Sequence, residues 1–116
     1  GDGGFGTNGD QDIIKCGSYT GNGLADGPTV DLGWQPQWVL IKKTASGDSG
    51  NWYIFDSVRG VVTGSNDQYL SANATDIDQA ASLIDFTSTG FKITQAGNAG
   101  LNNGGIAFIY TAIRAA

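Results

Sequence analysis

An all-β fold, an antiparallel β-sandwich of jelly-roll-like kind with little or no helix, is what this 116-residue sequence predicts, and three observations carry the prediction. Nineteen glycines stand against two prolines, among many Asn, Asp, Ser and Thr residues. That is the composition of a chain that turns often. Helical periodicity is nearly absent: residues 76–81, beyond a capping Thr75, offer one helical turn, and no apolar stripe continues it. The densest apolar segment, residues 37–44, is answered by residues 52–56 across a glycine-bearing loop, which reads as a long-looped hairpin.

The first ten residues hold five glycines and show no period of two or 3.6. They read as an arm or linker ahead of a single domain at 11–116, ordered only where a neighbouring copy holds them. Their GxG spacings make no nucleotide site, because no strand precedes them and no helix follows. Residues 12–19 form the first predicted strand, with Ile14, Cys16 and Ser18 on one face and Ile13, Lys15 and Tyr19 divided around a glycine irregularity at Gly17. Asn22-Gly23 then supplies the positive φ of a tight hairpin turn. Residues 24–31 read as a polar loop, or as an edge strand around Thr29 to Leu32. Pro36 marks the start of the central strand, since proline has no amide to give to a ladder. Trp38, Val39, Leu40 and Ile41 follow without a polar break, the pattern of a strand covered on both faces.

Beyond residue 56, the second strand is expected to run on through Val61 past a bulge at Gly60. Residues 69–73 suggest a short strand; the Asn73-Ala74-Thr75 triplet at its end is formally a glycosylation sequon but reads as a plain turn. Residues 82–87 and 90–94 make the clearest short hairpin, in which Phe86 and Phe91 are placed to meet across the strands. The last strand, 106–113, is apolar on both sides, so it belongs inside a sheet rather than at its edge. The expected core is Trp38, Leu40, Ile54, Phe86, Phe91, Phe108 and Ile109.

Eleven aspartates, no glutamate and six basic residues give a net charge of −5. With the basic residues scattered, this disfavours a nucleic-acid partner. No run of 18 apolar residues exists, so no membrane partner is expected. Methionine is absent even at position 1, which makes Gly1 the product of processing or the edge of a fragment. Cys16, the lone cysteine, reads as a small buried apolar residue.

With no histidine, no glutamate and one cysteine, the usual nucleophile and base pairings cannot be assembled. The sequence therefore points away from an enzyme, and no catalytic residue or cofactor is expected. Asp56, Asp85 and the Asp76/Asp78 pair could do carboxylate acid and base work, but they read first as turn caps. Asp10/Asp12 and Asp76/Asp78 cluster oxygen ligands without the spacing of an EF-hand, so no metal site is assigned. Trp34 and Tyr69, both beside loops, are the candidate ligand-binding aromatics, a platform on which a sugar ring could stack. Trp38 and Trp52 are assigned to the core.

The motifs also carry a resemblance. Gly17-Ser-Tyr-Thr-Gly-Asn-Gly23, the run from Asp31 to Thr44, the run from Asn51 to Gly60, Tyr69-Leu-Ser-Ala-Asn73, the run from Phe86 to Ile93 and Tyr110-Thr-Ala-Ile-Arg114 resemble, in order, a domain of unknown function found in virion and tail-fibre proteins of marine and cyanobacterial bacteriophages. The resemblance covers residues 14–114 and brings no catalytic or binding residues with it. It implies a virion structural protein, a tail-fibre or adhesin domain contacting a host surface glycan or protein. The alternatives are a capsid decoration or assembly protein and a lectin-like module of a bacterial surface protein. Other virion proteins are the implied partners. Strands apolar on both faces and the glycine-rich arm lead to a homo-oligomer, which the resemblance makes a trimer if the domain belongs to a fibre.

Overall fold

β-branched and aromatic runs separated by glycine-bearing turns become two antiparallel sheets. The computed structural model describes residues 13–45, 52–58, 60–61, 67–71, 79–81, 83–95 and 101–115. Among them are the strands β1 (Ile14–Thr20), β2 (Thr29–Asp31), β3 (Pro36–Lys43), β4 (Trp52–Asp56), β5 (Asp67–Ser71), β6 (Gln79–Ala81), β7 (Ile84–Phe86), β8 (Gly90–Ile93) and β9 (Ala107–Arg114). A six-stranded sheet runs β1-β9-β3-β4-β5-β6 and a three-stranded sheet runs β2-β8-β7. The all-β sandwich is as expected. In the jelly-roll manner the last strand threads between β1 and β3, but the strands divide six against three rather than four against four.

The core lies between the sheets. Tyr19, Val39, Ile41, Phe55, Phe108 and Ala112 come from the larger sheet, and Val30, Ile84, Phe91 and Ile93 from the smaller. Phe91 bridges the two: its ring meets Tyr110 edge-on at 5.3 Å and Tyr19 at 6.3 Å, while Tyr19 stacks on Phe108 at 5.1 Å. Each fully buried aromatic of this kind contributes about 1.5–3 kcal/mol by leaving water. Gly17 is needed here. A Cβ at that position would stand 2.6 Å from the Tyr110 hydroxyl, so the missing side chain makes room for that ring while β1 stays in regular register.

Several expectations hold. β3 and β4 pair as a hairpin, β9 is central, β2 is an edge strand, and Phe86 lies opposite Phe91 in the β7–β8 hairpin. Others are corrected. Trp38, Leu40 and Ile54 are only half-buried, Phe86 packs at the core's margin, and Ile109 is 46% exposed. The reason is register: in β3 and β4 the core side chains are Val39, Ile41 and Phe55, one residue away from those expected, and in β9 Phe108 is buried as expected while its neighbour Ile109 necessarily points to the other face. The turn at Asn22-Gly23 forms, with Gly23 at φ 71°, but it leads β1 into the other sheet instead of closing a hairpin. β4 ends at Asp56 in a turn closed by the Gly60 amide donating to the Asp56 carbonyl, with Gly60 at φ 112°, so no bulge carries the strand onward. Residues 79–81, expected at the end of a helical turn, are the strand β6, because they find a partner in β5. The arm at 1–10 and the sequon lie outside the described residues.

Candidate functional site

The register that buries Val39 and Ile41 turns the alternate residues of the same strands outward. On the outer face of the six-stranded sheet, Ile14, Cys16 and Ser18 of β1 stand opposite Ile113, Thr111 and Ile109 of β9. The β9 residues stand in turn opposite Trp38, Leu40 and Lys42 of β3, which face Asp56, Ile54 and Trp52 of β4. Ile14 is 47% exposed, Ile109 46% and Trp52 37%. The two sheets account for every described strand and the smaller one covers the opposite face, so no described element lies over this one.

Antiparallel sheets that face water on one side ordinarily alternate apolar and polar residues. The outer face of the three-stranded sheet does so. It presents Thr29, Asp31, Asp85 and Lys92, the last paired with Asp26, whose carboxyl that hydrogen bond and charge hold below the usual range. The six-stranded sheet breaks the rule with a row of Ile, Leu and Trp side chains. Its polar members sit within it: Cys16 Sγ lies 3.4 Å from Thr111 Oγ1, and the Lys42 ammonium lies 5.8 Å from the Trp52 ring centroid. Leu40, Lys42, Trp52, Ile109, Tyr110 and Thr111 line a shallow groove of about 40 Å³. That is below the roughly 300–1,000 Å³ of small-molecule sites, so it suits a side chain rather than a ligand.

The residues singled out from sequence land elsewhere. Trp34 is 8% exposed and belongs to the core, with the Lys15 ammonium 5.9 Å from its ring while also donating to the Leu32 carbonyl at 2.6 Å. Tyr69 is half-buried, its ring against Tyr53 at 5.3 Å and Phe55 at 6.0 Å. Neither ring forms an exposed platform; the more open tryptophan is Trp52, which had been assigned to the core. Cys16, expected to be buried, is exposed because it falls in the outward register. Asp56 and Asp85 lie on different sheets and do not meet. No group of metal-ligating side chains occurs among the described residues, and Asp10, Asp12, Asp76 and Asp78 lie outside them.

Sequence reasoning also passed over Asn102, which is fully buried. Its Oδ1 accepts from the Asn22 amide at 2.8 Å, and its Nδ2 donates to the carbonyls of Leu24 at 2.7 Å and Gln95 at 2.8 Å. The Tyr19 hydroxyl donates to the Leu101 carbonyl beside it at 2.8 Å. One side chain thus ties together the segments around 22–24, 95 and 102, and a fully satisfied amide of this kind rigidifies a sheet end. Its only sequence signal is an asparagine in a glycine-rich loop.

Residues 11–115 match a family described as a domain of unknown function, DUF7483. The chain belongs to that family. No curated protein and no solved structure matches it. For this DUF7483 domain the outer face of the six-stranded sheet is the candidate functional surface.

Proposed function

We propose that this domain is a structural component of a bacteriophage virion, a tail-fibre or adhesin domain that works by contact and carries no catalysis of its own. The observation that carries the reading is the apolar outer face of the six-stranded sheet, where Ile14, Ile109 and Trp52 are open to solvent. Contiguous exposed apolar surface of this kind is a mark of protein association. The resemblance to virion proteins supplies the setting: the assembled particle is the site of action, neighbouring virion proteins and a host surface glycan or protein are the partners, and a fibre would be trimeric.

The exposed ring of Trp52 beside Lys42 favours a second reading, in which the domain is a lectin-like module stacking a sugar on that ring. Capsid decoration is a variant of the first reading with the same face turned to the shell. The test is mass spectrometry of particles purified from the phage that encodes the full reading frame, together with a glycan array probed with the isolated chain. Structural copy numbers in the particle support the virion reading, and absence from the particle overturns it. Glycan binding abolished by Trp52→Ala, with no particle association, establishes the lectin-like module instead.

A further inference from the structure

We propose that the outer face of the six-stranded sheet is buried against the same face of a second copy of this chain. The inference rests on reading that face as a contact surface, and it names the occupant.

Three observations select a second copy. The first excludes cover from within the chain. Outside the described residues the large apolar side chains are Phe5, Val62 and Ile77, too few and too far apart in sequence to cover a four-strand face. The second is charge. The chain carries −5, which opposes self-association over most of its surface, yet the outward residues of β1, β9, β3 and β4 carry one charge of each sign, Lys42 and Asp56. Two copies therefore meet on this face without the like-charge repulsion they would meet on average elsewhere.

The third is area. Strands about 4.8 Å apart and rising about 3.3 Å per residue give four strands of this length a face of about 500 Å². Two such faces together bury about 1,000 Å², at the threshold for a specific interface. Two sheets stacked about 10 Å apart, face on face, repeat the packing already used between the two sheets inside the domain. The groove at Trp52 and Ile109 then receives an apolar side chain of the partner copy. Identical faces in contact make an isologous pair, a dimer; the trimer of a fibre is a separate expectation that this face does not build by itself.

The experiment is sedimentation of the full chain from low micromolar to several hundred micromolar, alongside Ile109→Lys, Ile14→Lys and a control on the other sheet, Thr29→Lys. Circular dichroism establishes that each variant is folded. The expected result is a concentration-dependent dimer for the wild type and Thr29→Lys, with at least a tenfold weaker association in either isoleucine variant. A wild-type chain that stays monomeric throughout overturns the proposal whatever the variants do. So does a dimer that both folded isoleucine variants leave intact. Particle association measured as above, without self-association here, would keep the virion reading and remove this inference.

Discussion

The two outer faces of the sandwich are made from the same kind of antiparallel strand and differ in one respect. The three-stranded sheet turns Thr29, Asp31, Asp85 and Lys92 to the outside, while the six-stranded sheet turns out Ile14, Ile109, Ile113, Leu40, Ile54, Trp38 and Trp52. A polar outer face is finished when the domain folds. An apolar one lowers its free energy further when something covers it, at roughly 25 cal/mol for each Å² removed from water. The contrast places the core between the sheets and leaves the far side of the larger one as the surface on which the proposed association would act.

The sharpest way to break this division is to cut into the shared core. Phe91→Ala removes the ring that touches both Tyr19 and Tyr110, and a loss of about 3–5 kcal/mol is expected in chemical denaturation. A loss below about 1 kcal/mol would mean that the sheets are not packed through that ring. Next comes the polar staple at the end of the sandwich. Asn102→Ala orphans the Asn22 amide and two carbonyls, with an expected loss of about 1–3 kcal/mol and faster amide exchange at Asn22.

The effect of pH sharpens the same point. Tyr19, Tyr53 and Tyr110 are all held above the ordinary tyrosine range, chiefly by burial against the core, with Tyr69 adding to the shift at Tyr53 and Cys16 at Tyr110. A raised acid favours the folded state while it stays neutral. Their contribution is therefore complete below the unfolded tyrosine value of about 10 and is lost as pH climbs above it. Melting temperature should hold to about pH 9 and fall beyond pH 10, and Tyr19→Phe should flatten that fall. An unchanged slope in Tyr19→Phe would show that its hydroxyl is not buried. The smallest effect belongs to the polar outer face, where Asp26→Asn breaks the exposed pair with Lys92 and should leave the melting temperature at neutral pH unchanged.

How much of this was legible in the sequence follows from the same two faces. Strand positions were readable because β-branched and aromatic runs alternate with glycine-bearing turns, and the central place of β9 followed from its having no polar side. The core was not readable to the residue. With Trp38, Leu40 and Ile54 as apolar as Val39, Ile41 and Phe55, alternation cannot say which set faces the second sheet, and choosing the wrong set exchanges inside for outside. The candidate surface was hidden by the same ambiguity: strands apolar on both faces read as covered on both, whereas no described strand lies over the outer face of the larger sheet. Trp34 misled because its neighbours in sequence are loop-like, whereas its burial depends on distant residues. Asn102 was invisible because its partners are three backbone groups in segments far apart in the chain.

The most direct test of the account uses Cys16, which stands on the apolar outer face and on no other surface. Its rate of reaction with a small maleimide is measured on the wild-type chain across a dilution series. The account predicts a rate approaching that of an unhindered thiol at low concentration and falling at least tenfold as the chain is concentrated. A rate that stays the same at every concentration, and in the assembled particle, would show that this face is never covered.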